Sequence, residues 1–413
     1  MSPSTPIQSS PSYLLGRASG ALAIFSVLLG STAPSPLYPI YIEQMDLSHA
    51  MGTAVFAIYA IGTLCSLALT ARIGTRIGDL RRLIVPGLII TALGATVFAT
   101  ADGLTMLLVG RFLNGFGTGV VTGMASVALY NLAPAKGKAM AATLATLAFT
   151  GGAAGGPLLS SAALALDLAP TLFPFLVIIA VVLLACAGLA VCSWPESAKR
   201  SAKTEESSSR AIENESETTG RSTSWPLYGL ACFALATAWM LGSVFMAVGA
   251  DFGARIYDFR DAGLAGLIPA LFQLLAGAGQ AVWGRIHPAR AIAWGLAGML
   301  LAQIALFLAA LGADSLTVLA LISCSGFSYG ATFVGALGLA SLSAAPDQRE
   351  RLISGFYIVG YLSNAIPSFV MGILIDRIGT EPAFETFSVA MAVATSCGVG
   401  LALLLRDKSS ATD

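Results

Sequence analysis

The strongest constraint on this chain is the way charge is kept out of long stretches of it. Leu14–Ile40, Leu83–Ala99, Phe173–Cys192, Ala291–Leu311 and Phe387–Leu405 are apolar runs near or above the roughly 17–25 residues that cross a hydrocarbon core. Stretches between them are richer in Gly, Ser and Thr, which lowers hydropathy but suits helices that pack closely in lipid. Only 11% of the 413 residues are charged, against roughly a quarter in soluble proteins. The pattern predicts an all-α integral membrane protein with twelve spans: 14–41, 50–71, 83–101, 104–130, 138–163, 171–193, 226–250, 262–283, 291–311, 314–341, 352–375 and 384–405.

The positions of the basic residues test this count by an independent route. With both termini on the cytoplasmic side, eighteen of the 22 Lys and Arg fall on that side, three (Arg255, Arg260, Arg377) fall outside, and Arg111 lies within a span. One missed helix would invert every later loop and scramble that asymmetry. The expected location is therefore a plasma (inner) membrane, multi-pass, with cytoplasmic termini. The expected parts are a tail at 1–13, a six-helix bundle at 14–193, a polar linker at 194–225, a second bundle at 226–405 and a tail at 406–413. The linker, with Glu205-Glu206-Ser207 and Glu213-Asn214-Glu215, is too polar to bury a core. Zero net charge indicates no nucleic-acid partner, and the six cysteines, without C-x-x-C spacing, suggest neither disulfides nor zinc.

The two halves repeat. Gly115-Phe116-Gly117-Thr118-Gly119 is echoed 211 residues later by Gly326-Phe327-Ser328-Tyr329-Gly330. Leu29-Gly30-Ser31 matches Leu241-Gly242-Ser243 at an offset of 212, and Pro157 matches Pro367 at 210. Helices 1, 4 and 5 thus map onto 7, 10 and 11 with the same direction of crossing, a parallel repeat of six helices.

Three motif regions then carry a resemblance to the major facilitator superfamily over nearly the whole chain. The segment Ala71-Arg72-Ile73-Gly74-Thr75-Arg76-Ile77-Gly78-Asp79-Leu80-Arg81-Arg82 is similar to the family's helix 2–3 loop at Arg76, Gly78 and Arg81. It departs from it at Thr75, where an acidic residue is usual, and at Asp79, where a basic one is. Arg111 followed by Asn114 and a Gly-rich run resembles the family's helix 4. Gly152, Gly156 and Pro157 resemble the helix 5 pattern of the antiporter branch, although Ser160 and Ser161 replace its last two glycines.

The resemblance implies a secondary transporter of two parallel-repeat six-helix bundles. In the drug/metabolite:proton antiporter branch this means proton-coupled efflux of small amphipathic or metabolite-like molecules by alternating access. The alternative is a proton-coupled uptake symporter for a small nutrient or organic acid. The proton gradient is then the energy source, with no cofactor and no metal, and the expected partners are a small-molecule substrate and the lipid bilayer, around a monomer.

Within that frame Arg111 stands roughly 10 Å below the helix end, where a charge costs about 3 kcal/mol and usually has a function. Its repeat counterpart, Ile322, is apolar. Arg111, Asn114, Thr118 and Thr122 share one helix face, which is expected to look into a central cavity. The resemblance implies proton coupling at Arg111, with Glu43 or Asp251 facing it from the outer rim; an arginine snorkelling to the outer surface is the open alternative. Further cavity candidates are Tyr38, Gln273, Gln280, Tyr357, Tyr361 and Asn364; helix-to-helix polar packing would give the same pattern. Pro34, Pro36 and Pro39 predict a broken end to helix 1. Arg76, Gly78, Arg81, Gly152, Gly156 and Pro157 are the expected gating positions, with close helix packing the open alternative for the glycines. The chain is not expected to be an enzyme: G-x-S-x-G at Gly326–Gly330 lies in a helix with no strand before it, and His49 and His287 fall at opposite faces.

Overall fold

The computed structural model describes residues 11–73, 77, 79–133, 138–192 and 222–405. Arg76, Gly78, most of the expected linker and the C-terminal tail lie outside them. The described chain is all-helical, with twelve helices long and apolar enough to span a membrane. Helix 1 covers Leu14–Gln44, and the helices that follow are His49–Ile73, Arg81–Ala99, Leu104–Leu132, Lys138–Ala165, Phe173–Val191, Trp225–Arg255, Ala262–Trp283, Pro288–Ala309, Ser315–Ser343, Arg349–Ile378 and Thr380–Leu404. Large apolar side chains such as Leu183, Leu184, Leu301, Leu316 and Val393 are more than half exposed, as a lipid-facing surface requires.

Two boundaries differ from the sequence expectation in ways that matter. Helix 7 runs to Arg255 rather than to about residue 250, so Asp251 lies within the helix, near its outer end. Helix 1 breaks as its prolines predict: a regular helix stops at Thr32, a single 3-10 turn covers Ser35–Leu37, and a short helix resumes over Tyr38–Gln44. The repeat partner, helix 7, has Met246 and Val248 where helix 1 has Pro34 and Pro36, and it continues unbroken.

The repeated glycines exist because backbones touch there. A Cβ on Gly115 would overlap the Tyr59 carbonyl oxygen of helix 2, and one on Gly119 would overlap Ser66 Oγ. Gly117 and Gly110 face the other way, onto Gly87, Thr91 and Gly94 of helix 3. In the second half Gly326 and Gly330 seat on the carbonyls of Phe272 and Ala276 in helix 8. Ser328 replaces Gly117, and the missing space is supplied from the partner, by Gly295 and Gly298 of helix 9. The G-x-S-x-G serine is thus a packing residue, whose hydroxyl donates to the Cys324 carbonyl one turn back. Gly152 and Gly156 of helix 5 likewise seat on the Phe25 and Leu29 carbonyls of helix 1.

By contacts the chain forms two compact units that do not follow the six-and-six division. Of the described residues, one unit holds those up to Pro34, Ile58–Leu159 and those from Leu168 to Cys192; the other holds Ser35–Ala57, Ser160–Asp167 and those from 222 to 405. Inside the second unit, Gly263 and Gly266 of helix 8 make room for neighbours from the first half of the sequence. A Cβ on Gly263 would come within 2.7 Å of the Ala165 Cβ, and one on Gly266 within 2.6 Å of Ser161 Oγ and 3.0 Å of the Pro36 Cβ.

These contacts leave no room for a branched side chain, and overpacking in a close-packed interior costs about 1–3 kcal/mol or more. Gly115→Val and Gly326→Val are expected to lower the midpoint of thermal unfolding in detergent by several degrees each, whereas Gly229→Val, at a position with open space, leaves it within a degree.

Candidate functional site

The break in helix 1 creates a chemical demand. The last regular bond runs from the Ala33 N–H to the Leu29 carbonyl. The next carbonyls, of Gly30 and Thr32, would need N–H groups from Pro34 and Pro36, which have none. Helix 1 therefore ends inside the protein with carbonyl oxygens in excess and the negative end of its dipole exposed. Arg111 supplies a donor at the carbonyl between those of Gly30 and Thr32. Its side chain is 2% exposed, Nη1 donates to the Ser31 carbonyl, and the guanidinium carbon lies 4.8 Å from the centroid of the Tyr59 ring. A cation at a helix C-terminus and over an aromatic face is stabilised twice.

Two further residues of the helix 4 face, Asn114 and Thr118, follow Arg111 onto helix 1, while Thr122 is half-buried. Asn114 and Thr118 are buried. Asn114 Nδ2 lies against Gly30, where a Cβ would come within 2.9 Å of it. The Thr118 hydroxyl donates to the Asn114 carbonyl at 2.8 Å and Thr122 to the Thr118 carbonyl at 2.7 Å, so both are back-bonded to their own helix. The small residues of helix 1 let helix 4 approach closely enough for Arg111 to reach the broken end.

Glu43 and Asp251, the expected acidic partners, belong to the second compact unit. Glu43 is exposed on the short helix Tyr38–Gln44. Asp251 is 5% exposed, and its Oδ1 accepts from Arg255 Nε at 2.7 Å, one turn on. Its other oxygen, Oδ2, lies 3.8 Å from Nε2 of His49 at the start of helix 2. Asp376, in helix 11, accepts from the backbone N–H groups of His49 and Ala50 at 2.8 Å each, and its Oδ1 lies 3.1 Å from His49 Nδ1. His49 and Asp376 were not legible as a pair, because 327 residues separate them; the available signal was that one of only two histidines opens a span.

Of the remaining cavity candidates, Tyr38 is buried, with its ring edge-on to Phe56 at 6.3 Å. Gln273, Gln280, Tyr357 and Asn364 are half-buried. Tyr361 packs edge-on against Trp239 at 5.3 Å, and Trp239 in turn lies 6.1 Å from Phe333, which joins helices 7, 10 and 11 in an aromatic group that sequence spacing missed. In the helix 2–3 loop, Arg81 pairs with Asp79 at 2.9 Å and also donates to the Cys192 carbonyl at 3.1 Å, tying the loop to the end of helix 6. The acidic residue that departs from the family pattern is thus the partner of Arg81. Burial pushes the Asp79 carboxyl up, but hydrogen bonds from Arg81 and the charges of Arg81 and Arg82 outweigh it and hold the carboxyl below its usual range. Pro157 lies inside an uninterrupted helix 5.

Comparison with known proteins agrees with this architecture. The Major Facilitator Superfamily model matches residues 20–368, and the chain belongs to that family. No curated protein matches it in sequence. A solved bacterial homologue of the human lysosomal transporter Spinster, inward-facing and occupied, is similar at a TM-score of 0.75 and 15% identity, with 98% of each chain covered. A variant of the nucleoside transporter NupG reaches 0.73 at 10% identity, covering 94% of this chain and 99% of its own. A POT family transporter in complex with 5-aminolevulinic acid reaches 0.69 at 15%, covering 95% and 97%. At these identities the likeness is one of fold. With the family match, it makes the chain a membrane transporter and not an enzyme.

Two outcomes follow. Arg111→Met leaves the end of helix 1 without its donor and is expected to destabilise by about 1–3 kcal/mol, read as a lower unfolding midpoint; Arg111→Lys restores part of it. A carboxyl held low stabilises the fold above the ordinary Asp value near 3.9 and loses that contribution as pH falls through its folded value. Asp79→Asn should therefore lower the unfolding midpoint at pH 7, and the difference from the wild type should shrink as the pH falls below the ordinary Asp value.

Proposed function

We propose that this transporter is a proton-coupled exporter of small amphipathic or metabolite-like molecules, working by alternating access as a monomer in the inner membrane with both termini cytoplasmic. The observation that carries the reading is Arg111. A buried cation in a span is retained at a cost of about 3 kcal/mol. Here it holds the one broken helix end of the first half, at the segment Thr32–Leu37, whose irregular backbone is the place where a helix bends most easily. A guanidinium that can exchange the Ser31 carbonyl for a substrate or for a deprotonated carboxylate couples the shape of helix 1 to what is bound.

The direction of transport rests on the Gly152, Gly156, Pro157 pattern, which resembles the antiporter branch. Substrate class rests on charge: helix 4 carries a buried cation, Arg111, which suits neutral or anionic amphiphiles better than dications. The energy source is the proton gradient, with no bound cofactor, metal or nucleic acid.

Expression in cells stripped of their own efflux pumps, challenged with a panel of growth inhibitors, is expected to give protection against at least one neutral or anionic amphiphile. Inverted vesicles should accumulate that compound when their lumen is acidified. Arg111→Ala should cut this accumulation at least tenfold. Uptake of the compound into intact cells would make the protein an importer, and flux that survives Arg111→Ala would remove Arg111 from the mechanism.

A further inference from the structure

The start of helix 2 is held by two carboxylates from distant parts of the second compact unit, and the geometry there has one proton too few. Asp376 of helix 11 caps helix 2, its two oxygens accepting the His49 and Ala50 N–H groups at 2.8 Å each. A carboxylate at a helix N-terminus, bonded to two backbone donors, is fixed in its ionised form. An ionised carboxylate only accepts, so the 3.1 Å contact between its Oδ1 and His49 Nδ1 requires the hydrogen on Nδ1.

That leaves Nε2 on the far side of the ring. It is buried and points at Oδ2 of Asp251, 3.8 Å away, and neither atom has another hydrogen-bond partner. In a neutral ring with its hydrogen on Nδ1, Nε2 is a lone pair. It would then face a carboxylate oxygen, two acceptors buried together with no donor between them. One added proton removes the conflict, because Nε2–H then points at Oδ2. It also balances the charge: Asp251 and Asp376 are negative, Arg255 is positive at 2.7 Å from Asp251, and a protonated His49 makes the cluster neutral. The other charged groups around these helix ends, Glu43, Asp46, Asp258, Arg260, Asp261 and Arg377, are exposed to solvent and stabilised there.

We propose that His49 is a proton-binding site, and that its proton is the bolt joining the start of helix 2 to helix 7 while Asp376 holds it to helix 11. Loss of the proton turns an attraction across the His49–Asp251 gap into a repulsion and releases this end of helix 2. The site senses the pH of the compartment that the 1–2, 7–8 and 11–12 connections face. It does so whichever way substrate moves, so it stands apart from the reading of Arg111.

The chain has only two histidines, His49 and His287, which makes the ring directly observable. The full-length protein with isotope-labelled histidine, reconstituted in nanodiscs, gives two sets of ring signals by NMR, and His49→Gln assigns them. The expected result is a His49 ring carrying a hydrogen on both nitrogens at neutral pH. In Asp251→Asn this doubly protonated form is lost at neutral pH, while the His287 signals stay in place. The bolt itself is read by spin labels at Met51→Cys on helix 2 and Ala254→Cys on helix 7, both exposed positions, in a background with the native cysteines replaced by serine. Their separation should widen as pH rises in the wild type and become insensitive to pH in His49→Gln and in Asp251→Asn, the second variant keeping the shape of the cluster should the first fold poorly. A His49 ring whose titration ignores Asp251→Asn, or a pH-dependent distance that survives both substitutions, overturns the proposal.

Discussion

In lipid, a peptide carbonyl or amide without a protein partner has no water to turn to, and leaving one unpaired costs several kcal/mol. Among the described residues this demand accounts for the regular helices and bears on the break in helix 1. Where helix 1 breaks at its prolines, the freed carbonyl of Ser31 is taken by Arg111. Where helix 2 begins, its first N–H groups are taken by Asp376. A charged side chain brought from another helix completes the backbone in both cases, so the charges are not decorations on a hydrophobic scaffold. Each is needed where a helix stops short.

The glycines play the complementary part. Lipid supplies no hydrophobic driving force between helices, so association depends on close packing. Gly115, Gly119, Gly326 and Gly330 bring helix 4 onto helix 2 and helix 10 onto helix 8 at backbone contact. Gly30 does the same for Asn114, and that approach lets Arg111 reach helix 1. The small residues and the buried cation are therefore one device: the first sets the distance, the second uses it.

The fold was legible because its signals are long and redundant. Hydropathy, the bias of basic residues and the 211-residue repeat each specify the same twelve spans, and most observed ends fall within a few residues of those expected. The break in helix 1 was legible because proline removes a donor whatever surrounds it. Less was legible at the site. The helix 4 face was expected to line a cavity, yet Asn114 and Thr118 lie against helix 1, since helical periodicity shows which residues share a face and not what that face meets. Asp251 was expected at the outer end of helix 7, and the helix continues past it to Arg255.

What the sequence by itself determined is the class of solvent, the number of spans, the internal repeat and the presence of one cation where lipid should forbid it. These are properties of composition and local period, which physical chemistry reads without knowing the fold. Only the tertiary structure decided which groups answer that cation and which acids answer His49. Ser31 and Arg111 are 80 residues apart, and His49 and Asp376 are 327 apart. Pairing over such separations is set by how helices pack, and a linear pattern carries no record of it.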